Sequence, residues 1–394
     1  MIYERKLFIP LKEQIKKPEI VVLTGMRRVG KTTLLNMVYD SVDSDNKVFL
    51  DLTNPIHQMV FEEKNYDNIW SNLRQYKIDS SKKTFIFLDE IQQKPDIVNI
   101  IKYFYDHFNV KFYLTGSSSF YFKNLFPESL AGRKILYELF PLDFEEFLIF
   151  KNQKKHHHMD FKSKESEKNK VSFEQYKKIY NEYLLYGGFP QVVLEDDISR
   201  KRQWIEDIFK SYFEIDVRSL ADFKNINIFR DLIFLLLKRT GSRVEIEKFS
   251  SELGVTRPTI YSYLSFLQGT YFIYLIGPYT KNIDREVSGT KKIYICDNGI
   301  IYFFSRAGSG QMLENSVFLN LKKYGDVKYY QKRKGAEIDF ILTQTMSGFE
   351  VKETANLKEF DKLKRTAELL DLKEFYMVTE NFNDSKGVII AQDL

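Results

Sequence analysis

Short apolar runs alternate with helical or polar stretches along the first half of the chain. Four of these runs have the length of a buried strand, namely residues 20–23, 47–52, 84–88 and 111–114. Residues 33–39, between the first two runs, can form a helix. Parallel strands need crossover connections, which are usually helical, so this order predicts a parallel α/β sheet. We assign the sheet to a first domain over residues 1–150.

The pattern changes twice in the next ninety or so residues. Residues 151–170 are rich in lysine and nearly free of apolar side chains, which predicts a solvated loop. From about residue 173 to residue 240, apolar residues recur three and four positions apart, which is the spacing of amphipathic helices. Residues 151–240 are therefore predicted to form a flexible lysine-rich loop and a helical lid or connector.

A helix-turn-helix pattern follows over residues 241–290. Ile246, Phe249 and Leu253 stand three and four apart, Gly254 suits a turn, and Thr256 can cap a second helix. Residues 271–275 would form a wing strand, so the segment is predicted to be a winged helix-turn-helix. Such a module either binds DNA or serves packing and dimerisation. In a major groove, the second helix would present Arg257, Thr259, Tyr261 and Ser262.

The last hundred residues return to mixed strands and helices. Strands are expected at residues 291–295, 327–330, 337–342 and 348–351, with a helix over residues 314–324. We therefore predict a mixed α/β domain over residues 291–394.

Composition and charge narrow the class of protein. Of 394 residues, 43% are hydrophobic and 29% charged, which excludes a disordered chain. The single cysteine, Cys296, excludes an internal disulfide framework and any multi-cysteine zinc or iron–sulfur site. The N-terminus is too polar for a signal peptide and no apolar run approaches the length of a membrane helix, so a cytoplasmic protein without membrane contact is expected. A net charge of +5 permits contact with DNA but does not argue for it.

Residues 25–32, with the sequence Gly-Met-Arg-Arg-Val-Gly-Lys-Thr, form a complete P-loop between a strand and a helix. Gly25 and Gly30 let the backbone approach phosphates closely, and Lys31 would hold those phosphates. The Thr32 hydroxyl would ligate Mg²⁺. The predicted nucleotide-binding residues are Gly25, Arg27, Arg28, Val29, Gly30, Lys31, Thr32 and Thr33.

Two carboxylates, Asp89 and Glu90, follow the apolar run of residues 85–88 directly. Open α/β sheets bind ligands at the carboxyl ends of their strands. Asp89 is therefore predicted to hold Mg²⁺, and Glu90 to polarise the water that attacks the γ-phosphate. The next strand ends in hydroxyl residues, of which Ser117 is the candidate polar sensor; a turn capped by serines is the alternative.

Four residues near the C-terminus form a second candidate catalytic group: Glu314, Asp339, Glu350 and Lys352. Because side chains alternate along a strand, Glu350 and Lys352 share one face. Pairing of the last two predicted strands would bring Asp339 beside Glu350, and Mg²⁺ between these carboxylates would activate a water against a phosphodiester. The basic run of Lys332, Arg333 and Lys334 would contact DNA phosphates or solvate a turn.

Taken in order, these motifs resemble a family of AAA+-type ATPases of archaea and bacteria that carry a C-terminal domain similar to PD-(D/E)xK nucleases. Further segments that carry the resemblance are residues 114–118, 130–133, 140–147 and 186–190. It implies ATP as the nucleotide, a homo-oligomer such as a ring, and Arg133 as the arginine that approaches the γ-phosphate, either in its own subunit or in a neighbouring one. A surface salt bridge is the alternative role for Arg133. Ile338 replaces the proline of the nuclease motif, and a degenerate nuclease fold remains an alternative.

The sequence thus leads to two hypotheses from different classes. The first is a Mg²⁺-dependent ATPase that binds and remodels or cleaves DNA. The second is a nucleotide-dependent oligomeric switch that acts on protein partners and has an inactive nuclease fold.

Overall fold

The structure is a computed structural model that describes residues 3–116, 130, 132–155, 158, 160–218, 225–280, 286, 289–332 and 335–394. The predicted site residues Ser117, Arg333 and Lys334 lie outside this part of the chain. The chain forms two compact units that interleave along the sequence. Unit 1 comprises Met1–Phe140, Lys210–Asp222 and Gly269–Tyr271. Unit 2 comprises Pro141–Phe209, Phe223–Gln268 and Phe272–Leu394.

Unit 1 contains a five-stranded parallel sheet, which confirms the predicted sheet type. Its strands are Ile20–Thr24 (β1), Lys47–Asp51 (β2), Thr84–Asp89 (β3), Val110–Gly116 (β4) and Lys134–Glu138 (β5), in the order β2-β3-β4-β1-β5. Strands β1, β3 and β4 are buried along their whole length, which explains their uninterrupted apolar runs. The sequence did not predict β5, an edge strand that leaves Leu136 46% exposed.

The helices of unit 1 follow the strands in the manner of crossover connections. They are Phe8–Glu13 (α1), Lys31–Asp40 (α2), Pro55–Met59 (α3), Ile69–Arg74 (α4) and Ile97–His107 (α5), with 3₁₀ turns at Gln14–Lys16, Tyr66–Asn68 and Ile91–Gln93. A π-helix, Tyr212–Val217, also belongs to unit 1. On α5 the apolar residues Ile97, Ile100, Ile101 and Phe104 are buried, so this helix packs one face into the core.

After residue 140 the described part of the chain is mostly helical. The helices are Phe144–Phe150 (α6), Phe161–Ser166 (α7), Lys170–Tyr186 (α8), Pro190–Val193 (α9), Ile198–Ser211 (α10), Ile226–Lys238 (α11), Ile246–Leu253 (α12), Arg257–Gly269 (α13), Asn298–Ser305 (α14), Ser309–Leu321 (α15) and Leu357–Leu369 (α16). Short 3₁₀ turns lie at Lys322–Tyr324 and Ala391–Asp393. No helix among the described residues combines the length and the apolar character needed to cross a bilayer.

Unit 2 also holds two sheets. The smaller one pairs Ile273–Ile276 (β6) with Lys292–Ile295 (β7) in antiparallel fashion. The larger one contains Val327–Gln331 (β8), Glu337–Leu342 (β9), Ser347–Lys352 (β10), Glu374–Thr379 (β11) and Val388–Ile390 (β12), in the order β12-β11-β10-β9-β8. Strands β8, β9 and β10 are antiparallel to one another, whereas β11 and β12 run parallel to β10. The sequence predicted β8 to β10 but not β11, β12 or α16.

Helices α12 and α13 are joined by a tight turn at Gly254. Gly254 adopts a left-handed conformation with φ 64°, and a side chain would be strained in that conformation. The Thr256 hydroxyl then accepts from the N–H of Thr259 at 3.4 Å, in the first turn of α13. The helix, turn and second helix that the sequence predicts are therefore all present, and β6 follows them.

The predicted loop over residues 151–170 is wrong for its middle part, where α7 forms. The ring of Phe161 lies 4.8 Å from that of Tyr324 and 4.9 Å from that of Phe349. The buried ammonium of Lys164 donates to the carbonyl oxygen of Asp393 at 2.6 Å. A single aromatic residue among lysines gives no helical periodicity, which is why the sequence pattern did not indicate α7.

The backbone of the segment Tyr-Gly-Gly-Phe-Pro at residues 186–190 packs closely against two other segments of unit 2. The buried carboxylate of Asp297 accepts from the N–H of Gly188 at 2.6 Å and from the N–H of Gly299 at 2.8 Å. The N–H of Leu142 donates to the carbonyl oxygen of Gly188 at 2.7 Å. A methyl group at Gly188 would lie 2.2 Å from the carbonyl oxygen of Leu142, so only glycine fits there.

Gly188→Ala is therefore expected to destabilise the protein by about 2–3 kcal/mol, because two backbone segments must separate to admit the methyl group. A lower urea midpoint in circular dichroism would show the loss. Gly310→Ala is the matched control, since nothing lies within 4 Å of a methyl group at that position on α15. Equal midpoints for the two variants would show that the close backbone packing at Gly188 does not require glycine.

Candidate nucleotide site and acidic cluster

The P-loop connects β1 to α2 and needs glycine at both of its predicted positions. Gly25 has φ 149°, and a methyl group there would lie 2.1 Å from the carbonyl oxygen of Leu139. Gly30 has φ 97° and precedes the first residue of α2. Both conformations are costly for a residue with a side chain. The loop therefore presents the N-terminus of α2 as an anion-binding end.

Lys31, the first residue of α2, is buried and folds back over the loop. Its Nζ donates to the carbonyl oxygens of Gly25 and Met26, each at 2.9 Å. Burial lowers the pKa of this lysine, although the negative charges of Glu90 and Asp216 act in the opposite direction. The ammonium thus lies where phosphates held by the loop would meet it.

Asp89 connects the P-loop helix to the acidic end of β3. The Thr32 hydroxyl donates to its Oδ2 at 2.7 Å, and the Thr115 hydroxyl donates to its Oδ1. Burial raises the pKa of Asp89, and these two hydrogen bonds lower it. Thr115 Oγ1 also accepts from the N–H of Glu90 at 3.1 Å. Among the described residues, Thr115 is thus the hydroxyl residue at the end of β4 that contacts the acidic pair.

Glu90 turns the chain out of β3 in a left-handed conformation, with φ 53° and ψ 49°. This conformation is uncommon for a residue other than glycine and costs about 1–3 kcal/mol, so the surrounding contacts must hold it. The side chain amide of Gln92 donates to its carboxylate. The strained turn places Glu90 at the sheet edge where the P-loop begins.

The oxygens at this edge fit Mg²⁺. Thr32 offers a hydroxyl and Asp89 a carboxylate, and their oxygens are already 2.7 Å apart. Both are the hard oxygen ligands that Mg²⁺ prefers, and Mg²⁺ usually takes only one or two such ligands from the protein. The other predicted P-loop residues differ in exposure, since Val29 is buried whereas Arg28 and Thr33 face solvent.

Asp216 joins this site from the π-helix of unit 1, and sequence reasoning missed it. Arg27 Nε donates to its Oδ1 at 2.9 Å. Burial raises the pKa of Asp216 to about 6, against the opposing charge of Arg27. The two residues are 189 positions apart in sequence. No local motif marks Asp216, so only the folded chain identifies it.

The C-terminal carboxylates gather around a buried lysine, Lys292 on β7. Its Nζ lies 3.3 Å from Glu337 Oε1, 3.6 Å from Glu314 Oε1 and 3.6 Å from Asp339 Oδ1. Burial lowers the pKa of Lys292, but the three carboxylates outweigh burial and the pKa is raised. The Tyr294 hydroxyl donates to Glu314 at 2.6 Å. The sequence indicated neither Lys292 nor Glu337 as a member of this group.

Glu350 lies beside Asp339, as the strand register requires. Phe349 pairs with Phe340, so one further step sets Glu350 opposite Asp339. Glu350 Oε1 accepts from Lys352 Nζ at 2.8 Å, and Asp339 Oδ2 accepts from the N–H of Val351 at 2.9 Å. Burial, together with the charge of Asp339, raises the pKa of Glu350 to about 7. The same two causes raise the pKa of Glu314 to about 7.

This cluster does not fit Mg²⁺ as the nuclease motif implies. The ammonium of Lys292 lies among the carboxylates where the cation would be expected. Within the described ranges, no three His, Cys, Asp or Glu side chains are close enough to hold a metal ion. One buried oxygen, Glu350 Oε2, has no hydrogen-bond partner among the described residues. These contacts form an ion-pair cluster and do not support the expected metal ligation by Asp339 and Glu350.

The predicted DNA-contacting residues of α13 lie on its outer side. Tyr261 is 60% exposed, and Arg257 Nη2 forms an ion pair with Glu247 Oε1 at 2.9 Å. A groove of ≈ 930 Å³ beside α13 is lined by both of these residues and by Lys248 and Lys291. Elsewhere, the N–H of Lys332 donates to the carbonyl oxygen of Ala336 at 2.9 Å, next to the paired ends of β8 and β9.

Comparison with known families agrees with the geometry of the nucleotide site. The model of the AAA domain matches residues 17–148. The chain contains an AAA-type P-loop ATPase domain. The models of two domains of unknown function, DUF8612 and DUF4143, match residues 177–310 and 309–391 of the remaining chain. Neither match supports the nuclease-like domain that the sequence motif implies.

Relatives that align with most of this chain exist in archaea and bacteria. An uncharacterised protein of Methanocaldococcus jannaschii is 28% identical over 93% of this chain and 82% of its own length. One of Haemophilus influenzae is 28% identical over 87% of this chain and 85% of its own length. The Walker-type ATPase paby2304 of Pyrococcus abyssi is 15% identical, covers 77% of this chain and 96% of its own, and has a TM-score of 0.47. A score this low does not establish a shared fold over the whole chain.

Within the ATPase domain, Arg133 lies at the wrong edge of the sheet to reach its own P-loop. Its carbonyl oxygen accepts from the N–H of Ile20, the first residue of β1, whereas the P-loop follows Thr24 at the other end. Those ends are about 13 Å apart at roughly 3.3 Å per residue. Arg133 Nε forms an ion pair with Asp106 Oδ1 at 2.8 Å. This ion pair is the alternative role that the sequence left open for Arg133.

Glu90→Gln in the ATPase domain is expected to lower the rate of ATP hydrolysis at least 100-fold and to leave ATP binding within a few-fold, because the amide cannot take a proton from water. Phosphate release and binding of a fluorescent ATP analogue measure the two effects. Glu62→Gln, at an exposed carboxylate, is the matched control. Equal rates for the two variants would remove Glu90 from the reaction.

Lys292→Met is expected to destabilise the chain by about 3–5 kcal/mol, because one buried and two partly buried carboxylates lose their cation. Lys291→Met, at the exposed neighbouring position, should leave the urea midpoint unchanged. Adding Glu314→Gln to Lys292→Met should recover part of the loss. An unchanged midpoint for Lys292→Met, with a wild-type midpoint that rises on adding Mg²⁺, would instead favour a metal site.

Proposed function

We propose that this protein is an ATP hydrolase that binds DNA through its helix-turn-helix and uses the nucleotide cycle to remodel what it binds. The proposal is carried by one arrangement, in which the P-loop, Asp89 and Glu90 meet at the carboxyl edge of the sheet. The helix-turn-helix, with an exposed outer face on α13, supports DNA as the partner.

ATP would bind with its phosphates on the P-loop. The backbone N–H groups of residues 25–30, the N-terminus of α2 and the ammonium of Lys31 would neutralise the β- and γ-phosphates. Thr32 and Asp89 would hold Mg²⁺, which supplies charge neutralisation between those phosphates. In this arrangement, the hydrogen bond between Thr32 and Asp89 keeps both oxygens in place before the nucleotide arrives.

Glu90 would act as the base for hydrolysis. A water oxygen attacks the γ-phosphorus, a proton passes from that water to the Glu90 carboxylate, and ADP leaves with the electrons of the broken P–O bond. The left-handed backbone of Glu90 and the hydrogen bond from Gln92 fix the direction of its carboxylate. Thr115 donates to the Asp89 carboxylate and accepts from the Glu90 N–H, and so keeps the two acids in a fixed relative position.

The location of Arg133 supports a homo-oligomer in this proposal. An arginine at the amino edge of the sheet would stabilise the transition state only in the site of a neighbouring copy, as an arginine supplied in trans does in other nucleotide hydrolases. The ion pair with Asp106 would then hold Arg133 until the copies assemble.

DNA contact is proposed for α13, through Arg257, Thr259, Tyr261 and Ser262. Arg257 is largely exposed but paired with Glu247, so a phosphate would have to displace a carboxylate from it. This competition favours modest affinity and a contact that depends strongly on salt. Cleavage of DNA is not part of the proposal, because Lys292 already supplies the cation of the acidic cluster.

Arg257→Ala is expected to weaken binding of a fluorescent duplex several-fold and to reduce the salt dependence of binding by about one phosphate contact. Glu247→Ala should strengthen binding, because it frees Arg257 from its ion pair. Fluorescence anisotropy over a series of salt concentrations measures both. Arg230→Ala, at an exposed arginine on α11, is the control of equal charge.

If Arg230→Ala weakens binding as much as Arg257→Ala does, the contact is a general electrostatic one and α13 has no special role. If the wild-type protein binds neither single-stranded nor duplex DNA at low salt, the DNA proposal fails. The chain would then be better described as a nucleotide-dependent switch that acts on protein partners.

A further inference from the structure

Asp216 is a buried acid that the proposed hydrolysis does not yet use. It is 2% exposed and lies on the π-helix Tyr212–Val217. The segment that carries it, Lys210–Asp222, belongs to unit 1 although the preceding helices belong to unit 2. Single-turn π-helices are rare and are often found at functional sites. The segment Lys210–Asp222 therefore contributes a buried acid to unit 1, which also contains the P-loop.

The ion pair between Arg27 and Asp216 involves only the Nε atom of Arg27 and leaves its terminal nitrogens Nη1 and Nη2 available. Asp216 Oδ1 accepts from Nε, which is the inner nitrogen of the guanidinium. In the described part of the chain, the terminal Nη1 and Nη2 of Arg27 make no hydrogen bond. These two nitrogens carry four of the five N–H donors and form the fork that binds phosphate oxygens. Asp216 thus binds the guanidinium group of Arg27 at Nε and leaves Nη1 and Nη2 able to bind a ligand.

Asp216 is also within electrostatic reach of the reacting groups. Its charge acts on Lys31, and the charge of Glu90 acts on it. A lone buried carboxylate near a triphosphate would repel that ligand, whereas a carboxylate paired with Arg27 carries no net charge. The pair therefore sets an arginine beside the P-loop without adding an uncompensated negative charge.

The segment that carries Asp216 is well anchored within unit 1. The hydroxyl of Tyr212, a fully buried residue, lies 2.7 Å from Thr270 Oγ1. The neighbouring Tyr271 hydroxyl donates to Glu138 Oε1 at 2.8 Å, at the end of β5. Because these contacts fix the π-helix, Asp216 can impose a direction on Arg27 and is not simply drawn toward it.

We propose that Asp216 is a positioning residue of the nucleotide site, which orients Arg27 so that its terminal nitrogens bind the phosphates of ATP. The inference rests on the ATP binding proposed above. It adds to the P-loop a cation that the loop sequence alone does not orient. A purely structural ion pair would make a different prediction, since its loss would lower stability and leave nucleotide affinity unchanged.

Direct ATP binding to the full chain tests the inference without relying on hydrolysis. Asp216→Ala should raise the Kd for a fluorescent ATP analogue about 10-fold, and Arg27→Ala should raise it similarly. The double variant should be no worse than Arg27→Ala alone, because both changes remove one interaction. Asp216→Asn, whose amide oxygen still accepts from Nε, should restore most of the affinity. Glu214→Ala, at an exposed acid on the same π-helix, should bind like the wild type.

The outcomes separate the inference from the proposed function. Additive losses in the double variant would show that Asp216 and Arg27 act independently on the nucleotide, and would overturn the inference. An unchanged Kd for Asp216→Ala with a lower urea midpoint would show a purely structural ion pair and would overturn it too. Weakened binding by Asp216→Ala in a protein that never hydrolyses ATP would uphold the inference and reject the hydrolase. A wild-type chain that binds no nucleotide would overturn both.

Discussion

The hydrogen bond between the Thr32 hydroxyl and the Asp89 carboxylate joins the P-loop helix to the carboxyl end of β3. It exists because parallel strands end at one edge, where β1 delivers the loop and β3 delivers the acids. Asp89 is buried there, and a buried carboxylate is tolerated only when its oxygens are hydrogen-bonded. Thr32 and Thr115 each donate a hydrogen bond to this carboxylate. The two hydroxyl residues are therefore needed because Asp89 is buried.

Unit 2 also brings carboxylates close together, and there a lysine ammonium compensates their charge. Glu314 on α15 and Glu337 and Asp339 on β9 converge on Lys292 of β7, whose ammonium relieves their mutual repulsion. A lysine supplied by the fold needs no ligand exchange and holds its position permanently, whereas a catalytic metal must bind and polarise water. The carboxylates resemble a nuclease motif in sequence, and in the structure three of them surround a lysine ammonium.

Sequence patterns predicted most of the nucleotide site because its residues are local. Gly25, Lys31 and Thr32 lie in one loop, and Asp89 follows a strand that is buried along its length. Residues brought in by distant chain segments gave no such signal. Asp216 lies 189 positions from Arg27, and Lys292 lies on a strand whose sequence suggested no charge cluster. The exposed edge strand β5 and the short helix α7 were missed because each buries too few apolar side chains to produce a period.

The interleaving of the two units bears on how the nucleotide can affect the rest of the chain. Helices α12 and α13 are bracketed in sequence by Lys210–Asp222 and Gly269–Tyr271, two segments that belong to unit 1. Gln268, near the end of α13, is followed directly by Gly269, and Thr270 bonds Tyr212 on the π-helix. The π-helix that carries Asp216 is thus hydrogen-bonded to a residue that is covalently joined to the helix-turn-helix. A fragment ending at residue 150 would keep the P-loop but would lose both Asp216 and this connection.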